Sequence, residues 1–206
     1  MPLPKNRESD RFLTPLLFFI MITSIALPSL AIETNVSLHQ GSESETQGFS
    51  FYVADNFTKG SDFYWGIGYS ILDDVKVDIS DYGEVEWDED DLFFKVETID
   101  AIVSYRYKPK TYNNFMKQVT FEYQVGATIT LTENKFLWNS QNLDHEIYFS
   151  KSNDINALIG FSAHYKMSHN TAINVGFKYH PSFSEFEDIT SVYIGFTYKF
   201  GNQFGY

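Results

Sequence analysis

The chain has 206 residues, 43 % of them hydrophobic and 18 % aromatic, with 20 Phe, 14 Tyr, no Cys and a formal charge of −12. So many aromatics exclude a disordered chain, the lack of Cys excludes a disulfide scaffold or thiolate metal site, and the acidic balance excludes a nucleic-acid partner, which needs a basic face. A single continuous apolar run, residues 13–31, also excludes a helical membrane protein of several spans.

That run is the first predicted element. Lys5, Arg7 and Arg11 precede it, and Ser29 and Ala31 occupy the −3 and −1 positions of a cleavage site after Ala31. A charged start, a short apolar stretch and small residues at its end read as a secretory signal peptide over 1–31. The segment carries a net +1, so export leaves −13 on residues 32–206. An exported chain without Cys draws its stability from packing or from a membrane.

From residue 33 onward the hydrophobic period is two, the signature of strands with one face in an apolar medium. The first strand, about 33–41, sets Thr34, Val36 and Leu38 against Asn35, Ser37 and His39; the second, 48–55, sets Phe49, Phe51 and Val53 against Gly48, Ser50, Tyr52 and Ala54. In 63–72, Phe63, Trp65, Ile67, Tyr69 and Ile71 oppose Tyr64, Gly66, Gly68 and Ser70. In 93–108 the apolar register is Phe93, Ile99, Ala101, Val103, Tyr105 and Tyr107; Lys95 and Glu97 break it near its start, and Ile102 stands among the polar residues. The clearest alternation is in 117–132, from Val119 to Leu131 on one face and from Gln118 to Thr132 on the other. Three further strands follow at 154–167, 171–180 and 192–206, the last carrying Val192, Ile194, Phe196, Tyr198 and Phe200 on one register.

Long and short connections alternate between these eight strands. The links 56–62, 109–116 and 168–170 are short, whereas 73–92 and 133–152 run to about 20 residues. Eight alternating strands with long loops at one end and tight turns at the other predict an all-β, eight-stranded antiparallel up-and-down transmembrane barrel over 32–206. Closure is what hydrocarbon demands, because every backbone N–H and C=O must then be paired and no sheet edge is left. A soluble sandwich or lipocalin-like barrel would put charges opposite its apolar register; here that face holds Gly, Ser, Thr, Asn and Gln, suited to a crowded lumen. Tyr105, Tyr107, Tyr165, Tyr198 and Phe200 fall near the turn ends, and Phe49, Tyr69, Phe93 and Tyr179 near the loop ends, as two girdles.

With these features the chain resembles the small outer-membrane β-barrels of Gram-negative bacteria, the OmpA/OmpX-like group, over residues 32–206. The resemblance implies residence in the outer membrane among its lipids and lipopolysaccharide, and assembly by the barrel assembly machinery, which in such proteins reads the last strand. Phe200, Phe204 and Tyr206 would carry that signal here, although Tyr206 stands where Phe or Trp is usual and Asn202 interrupts the apolar register.

The predicted lumen contains Asp100, Arg106, Glu122, Lys166, Lys178 and Lys199, with His39 and His164. Arg106 and Glu122 are expected within about one diagonal step across the turn that joins their strands, as an ion pair. Such a charge network plugs a narrow lumen or lines a small passage for hydrophobic or ionic solutes. The loop 73–92 holds ten acids and one base. It matches no EF-hand spacing and reads as a solvated surface loop, with Val75, Val77 and Ile79 extending the flanking strands into a hairpin that offers an edge to an extracellular partner.

Eight-stranded outer-membrane barrels also include lipid A deacylases, which use a His-x-Ser-Asn run on a strand together with an acid. Here His164, Ser168, His169 and Asn170 have the wrong spacing, and Ser168 and Asn170 fall in a turn. The sequence therefore reads as a non-enzymatic outer-membrane barrel without a cofactor, acting in envelope integrity or surface contact. A narrow passage and a lipid A hydrolase or acyltransferase are the alternatives.

Overall fold

The protein is described by a computed structural model over residues 32–42, 46–78, 91–140, 143–181, 183 and 188–200. The predicted signal peptide 1–31, most of the acidic loop, Phe204 and Tyr206 lie outside these residues.

The alternating segments form strands that each pair with their chain neighbours: β1 (Glu33–Gly41), β2 (Gln47–Asn56), β3 (Phe63–Asp78), β4 (Asp91–Tyr107), β5 (Val119–Thr130), β8 (Ile155–Lys166), β9 (Thr171–His180) and β10 (Ile189–Lys199). Glu33 faces Lys199 and Gly41 faces Ser191, so β1 pairs with β10 and the sheet closes into an eight-stranded antiparallel barrel. Stepping through register partners once around the wall, from Arg106 to Glu122, Ser162, Gly176, Tyr193, His39, Gly48 and Leu72, leads back to β4 at Val96. The return is displaced by ten residues. A stagger of that size requires strands tilted by roughly 35–45°.

Burial is inverted relative to a soluble domain. Side chains pointing outward are apolar and exposed, with Val125 at 61 % and Ile194 at 57 %, whereas Asp100, Thr128, Thr130 and Ser162 are wholly buried inside. In water this would leave a continuous apolar belt far larger than soluble proteins tolerate; in hydrocarbon it is the expected surface of a closed barrel. On β4 the outward register runs Phe93, Lys95, Glu97, Ile99, Ala101, Val103, Tyr105 and Tyr107. The two charges that interrupt it pair with each other at 2.5 Å, and Glu97 also accepts a 2.8 Å bond from the Tyr69 hydroxyl. They mark the loop-side edge of the apolar band.

The structure corrects several boundaries. The expected loop 133–152 contains a separate two-stranded hairpin, β6 (Asn134–Ser140) and β7 (Leu143–Ser150). Its sequence has β-forming runs, Phe136 to Trp138 and Ile147 to Phe149, that are continuously apolar, so they show no period-two signal. β10 starts at Ile189 rather than 192, because Ile189 and Thr190 pair with His180 and Tyr179. It ends at Lys199, with Phe200 the last described residue. β3 and β4 do extend into the acidic segment, pairing as far as Asp78 and Asp91. A bulge between Leu72 and Val75, with Asp74 at φ 54°, shifts their register above the barrel wall.

The lumen is packed. Ile102, the apolar intruder in the polar register, meets Tyr52 and Leu158 in a small core at mid-barrel. Gly68 makes room for that core, since a Cβ there would fall within the ring of Tyr52. Gly68→Ala is therefore expected to displace Tyr52 and cost about 1–3 kcal/mol as overpacking, read from denaturant unfolding of the folded barrel.

Candidate functional site

The inward register of eight strands converges two clusters of charge inside the barrel. The first lies at the turn end. Arg106 donates from Nε to Glu122 at 3.0 Å and from a terminal nitrogen to Glu33 at 2.6 Å, with its guanidinium carbon 3.8 Å from the centre of the Tyr64 ring. Lys199 donates to the other oxygen of Glu33 at 3.2 Å. His164 Nε2 lies 2.8 Å from Glu122 and 2.9 Å from the Ser162 hydroxyl, while Gln124 donates to Glu122 at 3.3 Å. Each carboxylate thus meets two cationic or potentially cationic groups, the arrangement that makes buried ions tolerable.

The second cluster centres on Asp100, deeper in the barrel. Ser70, Thr98 and Thr128 donate hydroxyls to its oxygens at 2.9 Å, and the Tyr52 hydroxyl adds a fourth bond. Lys178 reaches from β9 to donate to the Tyr52 hydroxyl, with its ammonium 3.5 Å from Asp100 and 3.9 Å from the centre of the Tyr52 ring. Beyond it, His39 bridges the hydroxyls of Ser50 and Ser191 at 2.7 and 3.2 Å.

The predicted lumen residues are thus divided. Arg106, Glu122, His164 and Lys199 belong to the turn-end cluster, and Asp100 and Lys178 to the deeper one. Arg106 and Glu122 are direct register partners rather than diagonal ones. Lys166 closes β8 at the rim, half-buried and opposite Ala172. Phe200 follows β10, donates its N–H to the Ile32 carbonyl at 2.8 Å and packs edge-on to Tyr198.

Two central members were not singled out in the sequence, Glu33 and Tyr52. Glu33 begins the inward register of β1 and meets Lys199 only because the first and last strands close the barrel. Tyr52 sits in the polar register of β2, the signal that it points inward.

Between the clusters lies a cavity of about 50 Å3, lined by Tyr52, Arg106, Glu122, Asn174, Lys178 and Tyr193 among others. It has room for only a few waters, at roughly 10–15 Å3 each. At the loop end Phe183 is buried beside Leu72, Val96 and Ile189, with its ring edge-on to His180 at 5.6 Å, and leaves a space of about 10 Å3. Among the described residues, side chains thus fill much of the lumen at both levels.

The contacts also bear on hydrolysis. Ser162 and Glu122 both approach the same nitrogen of His164, Nε2, so the relay that activates a serine through opposite ring nitrogens is not formed. Ser168 and His169 are exposed in the β8–β9 turn. Among the described residues no group of three His, Cys, Asp or Glu could hold a metal ion.

No protein-family model and no curated protein matches the sequence. Among solved structures, the N-terminal β-barrel domain of Pseudomonas aeruginosa OprF superposes with a TM-score of 0.50 at 9 % identity, covering 82 % of this chain and 97 % of that one. The fold is that of the small eight-stranded outer-membrane barrels. Neisserial surface protein A aligns over 83 % of this chain and 97 % of its own, at 14 % identity and a TM-score of 0.49. The Yersinia pestis outer membrane protein Ail aligns over 84 % of this chain and 100 % of its own, at 13 % and 0.49. At these identities the likeness is one of fold.

Proposed function

We propose that the chain is a closed, non-enzymatic barrel of the outer membrane that holds its loop surface outside the cell and acts in envelope integrity or surface contact. The observation that carries this reading is the filling of the lumen: two bonded charge clusters and the buried Phe183 occupy it, and the cavity between the clusters is about 50 Å3. A lumen so filled gives the barrel little use as a passage and leaves the loops as its working surface. Both ends of the barrel chain, Glu33 and Lys199, lie at the turn end, so the turns face the periplasm and the longer connections face outward. On this reading lipopolysaccharide and outer-membrane lipids surround the wall, the barrel assembly machinery inserts it through the strand ending near Phe200, and the acidic segment 73–92 meets an extracellular partner.

Two measurements test the proposal. Protein in planar bilayers is expected to give no current steps above the empty-bilayer background; discrete steps that change in Arg106→Ala would establish a conduit instead. A deletion strain is expected to become more sensitive to detergent and to recover with the full chain but not with a chain lacking 79–90. Full recovery with the shortened chain would overturn the loop-based role. Altered lipid A on overexpression, lost in His164→Ala, would establish the enzyme.

A further inference from the structure

Charge is sorted along the barrel axis. The acids concentrate at the loop end, while the β4–β5 link, residues 108–118, carries Lys108, Lys110 and Lys117 and no acid. Because β5 pairs with β8, this link lies next to the β8–β9 turn, where residues 166–171 add Lys166 and His169, again without an acid. The β2–β3 turn differs, since Asp55 and Asp62 flank Lys59 there. Among the described turns, the basic surface free of acids therefore lies on one side of the turn end, in a chain that is acidic as a whole.

The link is also held against the outer wall. Asn113 Oδ1 accepts from the N–H groups of Phe115 and Met116 at 2.9 and 3.3 Å, which starts a single 3-10 turn at Met116–Gln118. Phe115 stacks on Tyr165 with ring centres 5.1 Å apart and planes 25° apart. Tyr165 stands on the outward register of β8, opposite Val119, within the turn-side girdle. The segment thus returns to the height of the headgroups instead of projecting away. Lys108, Lys110 and Lys117 are exposed around that stack, and Tyr112 is 99 % exposed.

We propose that residues 108–118, together with Lys166, form a docking surface for anionic phospholipid headgroups in the leaflet that the short turns meet. The pieces suit that occupant. Aromatic rings settle at headgroup depth, lysines lay their stems along apolar surface while their ammonium groups reach the phosphates, and clustered lysines at a membrane edge select anionic lipids. The inference rests on the membrane reading above.

The test uses the mature barrel reconstituted in phosphatidylcholine vesicles, with trace spin-labelled phosphatidylglycerol or phosphatidylcholine reporting which lipid the protein retains. Wild type is expected to favour phosphatidylglycerol by about threefold or more at low ionic strength, and to lose most of that preference at about 1 M salt, where screening acts within about 3 Å. Lys108→Gln/Lys110→Gln/Lys117→Gln is expected to bring the ratio close to one, while Lys76→Gln/Lys135→Gln, at the loop end, retains it. Inserted barrels with heat-modifiable gel mobility that show no preference, or a triple variant equal to wild type, would overturn the docking surface and leave the membrane reading intact. Binding of the wild type to purified peptidoglycan in place of a lipid preference would overturn it in favour of a cell-wall partner. A folded protein that never enters vesicles would overturn the membrane reading and the docking surface with it.

Discussion

Asp100→Ala is expected to destabilise the barrel by about 3–5 kcal/mol, the usual cost of removing one partner from a buried ion pair. Asp100 is wholly buried and collects hydroxyls from Tyr52, Ser70, Thr98 and Thr128, with the Lys178 ammonium 3.5 Å away. Without the carboxylate the four hydroxyls lose their common acceptor and the ammonium, on a residue only 4 % exposed, loses its counter-charge. Urea unfolding in vesicles, followed by tryptophan fluorescence, reads the loss. The double variant Asp100→Ala/Lys178→Met is expected to recover more than half of it, because the orphaned charge accounts for most of the penalty. Asp100→Asn should fall between, at about 1–3 kcal/mol, since its amide oxygen still accepts from part of the hydroxyl set. A loss below about 1 kcal/mol in Asp100→Ala would mean that the cluster does not hold the lumen together.

The same cluster separates what the sequence makes legible from what it hides. Period-two alternation reveals the barrel strands because each has one apolar and one polar environment, and the turn between β4 and β5 is enough to bring Arg106 to Glu122. Lys178 and Asp100 are different: they sit on β9 and β4, which are not neighbours, and meet through the interior of a barrel whose stagger of ten residues emerges only on closure. The pairing of Glu33 with Lys199 depends on closure in the same way, joining the first and last strands of the barrel. The β6–β7 hairpin is hidden for another reason. Outside the wall no single face need be apolar, so its runs carry no alternation to detect. Lys166 has the inward period, yet sits too close to the strand end to reach the interior. Period reports which face a residue takes and is silent about depth.

Depth is what a second substitution measures. Val125→Arg is expected to cost about 2–4 kcal/mol, the penalty for arginine on the lipid face near the bilayer midplane. Val125 is 61 % exposed, lies midway along β5 and is flanked in register by Val103 and Ile159, all on the outward face. On a soluble barrel so exposed a valine would accept arginine within about 0.5 kcal/mol, because the guanidinium would simply enter water. Tyr107→Arg is the matched control. Tyr107 is also exposed and outward-facing but ends β4 at the turn-side girdle, where the cost of arginine falls to about 0–1 kcal/mol. Reversible unfolding of both variants in phosphatidylcholine vesicles should therefore give a depth-dependent pair, with the midplane substitution the more damaging. Equal, small costs at both positions would mean that the apolar wall is not lipid-facing. The experiment reads the medium because both sites face outward and receive the same arginine, and they differ in how far it must reach for water.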